Sequence, residues 1–177
     1  MARFDGKQLP LLEWIGVLTG GAAVVVSFLS WRHVRGTGLV DLARAVGFRT
    51  WYTAWSSGFT AWLPMLLLAG AGALIMARGF GIKLPGIPFV WAGLAGAALI
   101  LVLIRWISLP DPDAATLANF NLRPEDVDTG ASIGLYLGVI IAVLSLAAAG
   151  FRVLLATRKE PTVSRPYEPG ASPSGNG

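Results

Sequence analysis

Four long apolar stretches, none with a charge deep inside it, constrain what this chain can fold into. They cover about residues 11–31, 59–77, 88–106 and 132–154. A helix needs roughly 20 mostly apolar residues to cross the hydrocarbon core of a bilayer, and each stretch is about that long. The sequence therefore predicts an all-α integral membrane protein, with a four-helix transmembrane domain over residues 1–155.

Composition and boundary residues agree with this prediction. Charged residues make up 14% of the chain, against roughly 25% in soluble proteins, and the mean hydropathy is +0.63. Glu13, Arg105 and Arg152 lie near the ends of the stretches, where we expect them to reach water or the headgroups. Aromatic side chains that favour the membrane interface also lie near the ends: Trp14, Trp31, Trp62, Trp91, Trp106 and Tyr136.

The distribution of cations predicts the orientation. Basic residues precede the first stretch, lie in the short connection between the second and third, and follow the fourth: Arg3, Lys7, Arg78, Lys83, Arg152, Arg158 and Lys159. Because cytoplasmic loops carry an excess of Lys and Arg, we predict a multi-pass protein of a bacterial inner (plasma) membrane with both termini in the cytoplasm. Residues 156–177, rich in Pro, Ser and Gly from Pro161 onward, are predicted to form a disordered cytoplasmic tail.

Two loops of opposite charge would lie on the same, outer side of a four-span chain. Residues 32–49 carry four arginines and one aspartate, a formal charge of +3, and residues 109–130 carry five acidic residues and one arginine, a formal charge of −4. We expect the loops to attract each other and to pack into a small extramembrane cap. The residues on which this prediction rests are Arg32, Arg35, Arg44, Arg49, Asp111, Asp113, Glu125, Asp126 and Asp128.

The first of these loops also has an apolar pattern. Its aliphatic residues recur at helical spacing and predict a short amphipathic helix on the membrane surface, followed by interfacial aromatics that include Trp51 and Trp55. Three interpretations stay open: attachment of the loop to lipid, a docking surface for another protein, and a groove for a lipid or quinone. The aliphatic residues are Leu39, Leu42, Ala43 and Val46.

The second loop offers local signals only. Asp113 is placed to cap a short helix over residues 114–117. The segment from Asp126 to Gly130 resembles the opening of a calcium loop but lacks the later ligands of that motif, so we predict no metal site there. The single histidine, His33, lies beside Arg32 and Arg35 and is predicted to be a solvated loop residue.

The predicted spans contain little chemistry. Their interiors offer hydroxyls such as Thr19, Ser27 and Ser145, each able to bond to its own helix backbone. We therefore predict no catalytic residue, no cofactor and no enzymatic activity. Small residues four apart allow helix backbones to approach closely, and they predict packing faces on the first and fourth spans at Gly16, Gly20, Gly134 and Gly138.

The chain resembles a group of small four-span membrane proteins of unknown function from high-GC actinobacteria. The resemblance rests on the position of Trp31 and on three short motifs, and it covers roughly residues 10–155. It implies the four-span fold and no activity or functional residue. The motifs are Ala-Trp-Leu-Pro at 61–64, Leu-Ile-Arg-Trp at 103–106 and Gly-Leu-Tyr-Leu-Gly at 134–138.

Taken together, these features favour a non-catalytic accessory or scaffold subunit that docks onto a larger envelope or respiratory complex. The expected partners are the lipid bilayer and other membrane protein subunits, with no nucleic acid, and a homo-oligomer is allowed. One alternative is a small oligomeric transporter or lipid-handling protein. Another is a phage-type exclusion or toxin-linked membrane protein.

Overall fold

A computed structural model describes residues 9–36, 38–82, 86–109 and 111–158, and this part of the chain is mostly helical. Four long helices form a bundle, and two short helices and a small sheet form the connections at one of its ends. The helices are α1 (Leu11–Ser27), α2 (Gly38–Ala45), α3 (Phe59–Gly79), α4 (Ile87–Ile107), α5 (Ala114–Asn119) and α6 (Ile133–Arg158). The strands are β1 (Ser30–Gly36), β2 (Trp51–Thr53) and β3 (Val127–Ala131).

The long helices pack in a closed ring. Helix α1 contacts α3 and α6, and α4 contacts the same two helices from the opposite side. The interior of the ring is formed by small and medium apolar side chains, among them Ala23, Leu68, Ala95 and Ala142. Close packing of such residues is the usual source of helix–helix attraction where lipid tails replace water.

Three of these helices, α3, α4 and α6, are long and apolar enough to cross a membrane, whereas α1 has 17 residues and is shorter. The predicted first stretch, 11–31, is therefore wrong at its carboxyl end. Helix α1 stops at Ser27, where the N–H groups of Phe28 and Leu29 bond to Val25 and Val26 in a tightened last turn, and Ser30 already begins β1.

The all-α prediction is also corrected by a three-stranded antiparallel sheet with the order β2-β1-β3. Strand β1 pairs with β3 over five positions, with Arg35 opposite Asp128 and His33 opposite Gly130. This pairing joins the two loops whose opposite charges predict that they meet. We call residues 28–58 and 108–132 the cap.

The cap has an apolar core of its own. One face of β1 contributes Val34 and α2 contributes Val40 and Ala43, and these contact side chains from the connections around α5. The other members of the core are Phe48, Leu117 and Leu122, and the Phe48 and Phe120 rings meet edge to face at 5.2 Å between centroids. Apolar burial and the sheet hydrogen bonds therefore stabilise the cap. Exposed ion pairs, which contribute about 0–1 kcal/mol each, would not be sufficient.

Trp31 fastens the cap to the bundle. Its ring is 1% exposed, and its Nε1 donates to the Val26 carbonyl at 2.9 Å. The Trp31 carbonyl accepts the N–H of Ser132 at 3.1 Å, and the N–H of Ala54 reaches the Ser27 carbonyl at 3.2 Å. The cap is thus bonded to the end of α1, and Trp31 is bonded to Ser132, the residue directly before α6.

Several predictions concern residues outside the described ranges. These are the disordered tail from Pro161 onward and the basic residues Arg3, Lys7, Lys83 and Lys159.

Candidate functional site

A cavity of the cap is lined mainly by basic and aromatic side chains. It has a volume of about 820 Å³ and is lined by residues of β1, α2, β2 and the first turn of α6. We call it the basic groove and define it by six of its lining residues: His33, Arg35, Arg44, Arg49, Trp51 and Tyr136. Three of the four arginines predicted for the first loop therefore come together here.

The arginines of the groove have little carboxylate to neutralise them. Arg44 reaches Asp41 at 4.0 Å, and both side chains are more than half exposed, so this pair is weak. Arg35 lies opposite Asp128 across the sheet, although within the described ranges it forms no salt bridge. Arg49 lies over the Trp51 ring at 5.6 Å from its centroid. The groove therefore keeps a positive potential.

His33 is half-buried in β1 and lines the groove, which corrects the prediction of a solvated loop residue. Desolvation by burial lowers the pKa of His33 below its usual value, the charge of Arg35 lowers it further, and the charge of Asp128 partly opposes both. At neutral pH the imidazole is therefore uncharged and able to accept or donate a hydrogen bond.

The start of α6 forms one side of the groove. Ile133 and Tyr136 line it, and their side chains are 57% and 44% exposed. The positive end of a helix dipole favours anions in its first turn. Tyr136 also meets Trp106 of α4 edge to face at 5.0 Å between ring centroids, an aromatic pair of the kind found at membrane interfaces.

A second, smaller cavity of about 370 Å³ lies on the acidic side of the cap. Arg32 lines it with its guanidinium 4.1 Å from the centroid of the Tyr52 ring. Burial lowers the pKa of Arg32, and the charges of Tyr52 and Asp111 partly offset this. Asp111 and Asp113 also line this cavity, so its charges are mixed and it does not select a ligand of one sign.

The remaining acidic residues predicted for the cap are mostly engaged in local turns. Asp113 caps α5 by accepting the N–H of Thr116 at 2.8 Å, as predicted, and this bond lowers the pKa of its carboxyl group. Asp126 accepts the N–H of Arg123 at 3.0 Å, and Glu125 pairs with Arg123 at 3.7 Å. These contacts stay within the second loop, so the two loops are joined by backbone pairing and by their shared apolar core.

The four predicted packing glycines lie against other parts of the same chain. A Cβ atom on Gly20 would lie 2.9 Å from the Cα atom of Gly72 in α3, and one on Gly16 would lie 2.7 Å from the Trp91 ring. A Cβ atom on Gly134 or Gly138 would meet the Trp31 ring, at 2.6 and 3.2 Å. The first pair therefore serves the contact of α1 with α3 and α4, and the second pair makes room for Trp31.

Trp55 lies at the junction of cap and bundle, apart from the groove. Its ring stacks on Trp62 at 6.0 Å with an interplanar angle of 11°, and its Nε1 donates to the Ser27 hydroxyl at 3.1 Å. Of the two tryptophans predicted to follow the amphipathic helix, Trp51 lines the groove and Trp55 bonds to the end of α1.

The opposite end of the bundle holds a charged cluster that the sequence pattern did not assign. Glu13, expected to reach water, is 1% exposed and pairs with Arg78 of α3 and with Arg152 of α6 at 2.9 Å. The sequence contained a signal for this cluster: a carboxylate in the first turn of α1, and arginines near the carboxyl ends of α3 and α6. In an antiparallel bundle these three helix ends lie at the same face.

Arg105, also expected to reach water, is 6% exposed in the last turn of α4. Its Nη2 lacks a hydrogen-bond partner within the described ranges.

Inside the bundle, Trp91 Nε1 donates a hydrogen bond to the Ser145 hydroxyl at 3.0 Å, and this bond joins α4 to α6.

No protein-family model, no curated protein and no solved structure matches the chain.

Proposed function

We propose that the protein is a non-catalytic accessory subunit of a larger membrane complex. Its bundle would hold the folded cap at one face of the bilayer, and the cap would dock onto the partner. The observation that carries this proposal is the architecture of the cap, which has its own core and is bonded to the bundle through Trp31. These bonds would hold the cap in a fixed position relative to the bundle, so that its surface is ready to bind a partner.

The docking face of the cap would be the outer side of α2. Leu42 and Val46 lie four residues apart on this helix and are 68% and 75% exposed, whereas Val40 and Ala43 point into the cap core. Among the residues of the predicted apolar stripe, Leu42 and Val46 thus lie on the exposed side of the helix and Ala43 lies on the buried side. Exposed aliphatic side chains at this spacing fit a partner surface that covers them on binding.

The polar side chains inside the bundle support a structural role. Trp91 and Ser145 bond to each other across two helices, and Glu13 holds the arginines of two further helices. Each of these groups is already engaged in joining helices, which favours a scaffold over a reaction centre.

The proposal includes α1 as a fourth span. Seventeen helical residues rise about 25 Å, and the apolar Phe28 and Leu29 extend this length toward the roughly 30 Å of a hydrocarbon core. Helix α1 also lies along α3, with Gly20 against Gly72 near its middle and Glu13 beside Arg78 near its end. We propose that the Glu13 end is cytoplasmic, in the inner membrane of a bacterium, and that the cap is on the outer side.

Extraction in a mild detergent at native expression levels, followed by mass spectrometry, tests the docking role. The wild-type chain is expected to retain a stoichiometric set of partner proteins, and the double variant Leu42→Ser, Val46→Ser is expected to lose it. Ala118→Ser changes another exposed residue of the cap and should keep the partners. A wild-type chain that is recovered without any partner protein would contradict the proposal.

A lipid-handling protein is the second candidate, and the basic groove is the observation that favours it, because its cavity adjoins the first turn of α6. The phage-type role and the resemblance to actinobacterial four-span proteins stay predictions.

A further inference from the structure

We propose that the basic groove binds the phosphate of an anionic phospholipid headgroup. This inference goes beyond the accessory role and does not depend on it. It requires only that α6 enters the bilayer, so that its first turn lies at the headgroup level.

The charge of the groove is the first argument. Arg35, Arg44 and Arg49 line one cavity together with His33, and the residues that line it include no Asp or Glu within the described ranges. Guanidinium groups bind phosphate oxygens through paired, charge-assisted hydrogen bonds. The net positive charge of the groove therefore favours an anionic headgroup over a zwitterionic one, in which an ammonium group neutralises the phosphate.

The position of the groove is the second argument. Tyr136 and Ile133 form its wall at the start of α6, a helix that is long and apolar enough to cross a membrane. A lipid with its phosphate among the arginines could lay its acyl chains along the exposed apolar side chains of α6, among them Ile140 and Leu144. A soluble anion would gain nothing from this adjoining apolar surface.

The shape of the groove is the third argument. Its volume of about 820 Å³ falls within the roughly 300–1,000 Å³ typical of small-molecule sites. Trp51, which is 56% exposed, offers an amphipathic ring of the type that lies among headgroups. The combination of cations, an aromatic ring and an apolar wall matches the amphiphilic character of a phospholipid.

The proposal also accounts for the one feature that disagrees with the positive-inside rule. Outer loops are usually poor in arginine, yet residues 32–49 carry a net charge of +3, from four arginines and one aspartate. If three of these arginines bind the headgroups of the outer leaflet, lipid binding explains why an outer loop contains so many arginines.

The test uses the full chain in a neutral detergent and measures binding of dansyl-labelled phosphatidylglycerol by energy transfer from tryptophan. Dansyl-labelled phosphatidylcholine serves as the zwitterionic probe. Because each arginine near an anionic headgroup contributes roughly one kilocalorie per mole, the double variant Arg44→Gln, Arg49→Gln should bind phosphatidylglycerol about 30-fold more weakly. Both side chains are exposed, so we expect this variant to fold.

The matched control is Arg123→Gln, Arg158→Gln, which removes the same charge from exposed positions outside the groove. We expect it to bind phosphatidylglycerol like the wild type. The lysine variant Arg44→Lys, Arg49→Lys should keep most of the affinity, because the charge remains.

Three outcomes would overturn the proposal. Equal affinity of the wild type for the two lipids would show that the groove does not recognise anionic headgroups. Equal loss in the groove variant and the matched control would indicate nonspecific attraction. Displacement of the labelled lipid by millimolar inorganic phosphate at constant ionic strength would show that free phosphate fills the groove instead.

Discussion

The Glu13 carboxylate of α1 accepts a hydrogen bond from Arg152 Nε of α6 at 3.0 Å and forms an ion pair with Arg152 Nη2 at 2.9 Å, although 138 residues lie between the two in the chain. The same carboxylate oxygen also accepts a bond from Arg78 of α3. One buried anion therefore ties together the ends of three helices. Such a cluster fixes which helices are neighbours and at what height they meet.

Glu13→Gln should destabilise the bundle strongly. The change keeps the side-chain shape but leaves two arginines without their counter-ion, and breaking a buried ion pair costs about 3–5 kcal/mol. We expect about 3 kcal/mol, the low end, because the Arg78 and Arg152 side chains are still 40% and 21% exposed. Thermal unfolding in nanodiscs measures the loss. Arg78→Gln is the control and should cost less, since Arg152 still neutralises Glu13; equal stability of all three proteins would contradict this role.

Gly20→Ala should separate α1 from α3. The added Cβ atom would lie 2.9 Å from the Gly72 Cα atom and 3.0 Å from the Leu68 carbonyl oxygen, and neither backbone atom can move aside alone. Overpacking of this kind costs about 1–3 kcal/mol. Gly21→Ala is the matched control, because its Cβ atom meets nothing within 4 Å; alanine is the better helix former by about 1 kcal/mol, so this variant should be more stable. The reverse order of the two melting temperatures would be incompatible with the close approach of Gly20 to Gly72.

Trp91→Phe should weaken the contact between α4 and α6. The variant removes the 3.0 Å bond to Ser145 and leaves a buried hydroxyl without its partner, at a cost of about 1–3 kcal/mol. The control is Trp106→Phe, which changes a 38% exposed tryptophan and keeps an aromatic edge against Tyr136. Chemical denaturation in micelles compares them, and a larger loss in the Trp106 variant would count against the assigned bond.

The pH dependence of His33 follows from its lowered pKa. Because the folded protein binds this proton less tightly than the unfolded chain, whose histidine titrates near 6.5, stability should fall as pH drops through 6.5 toward the folded pKa. His33 is the only histidine, so NMR of its ring protons follows it without ambiguity. His33→Gln should remove this part of the pH dependence.

An anionic lipid in the groove should shift the same titration. A phosphate beside the ring favours the imidazolium form. It therefore adds to the influence of Asp128 on the His33 pKa and opposes that of Arg35. The His33 pKa is therefore expected to rise when phosphatidylglycerol is added and to stay unchanged with phosphatidylcholine. A pKa above 6.5 in the lipid-free protein would contradict the burial of the ring.

Hydropathy alone located three of the bundle helices closely. The predicted stretches 59–77, 88–106 and 132–154 correspond to Phe59–Gly79, Ile87–Ile107 and Ile133–Arg158. This success has a simple physical basis, because a long apolar run without charges has few ways to satisfy its backbone other than a helix. The end of α1 was misplaced because Phe28, Leu29 and Trp31 continue the apolar composition beyond the helix and into β1.

The sheet could not be found in the same way. In β1 the buried side chains are Trp31, Arg32 and Val34, so the strand lacks the strict alternation of apolar and polar residues that marks a half-buried strand. Its partner β3 lies about 95 residues further along the chain and includes Asp128 and Gly130. The opposite charges of the two loops predicted that they would meet, but not that their backbones would pair. The amphipathic pattern of the first loop left a lipid or quinone groove as one of three open interpretations, but it did not predict that Arg35, Arg44 and Arg49 line one cavity.

Cysteine accessibility tests the four-span architecture most directly, because the chain has no cysteine of its own. Single variants would place a thiol in the cap (Ala118→Cys), between α3 and α4 (Ile82→Cys) and at the start of α1 (Leu11→Cys), all at exposed positions. With a membrane-impermeant maleimide on intact spheroplasts, we predict that only the cap thiol is labelled, and that the other two react after the membrane is opened. Labelling of Leu11→Cys from outside would show that α1 does not cross the bilayer, and labelling of Ile82→Cys together with Ala118→Cys would contradict the transmembrane bundle itself.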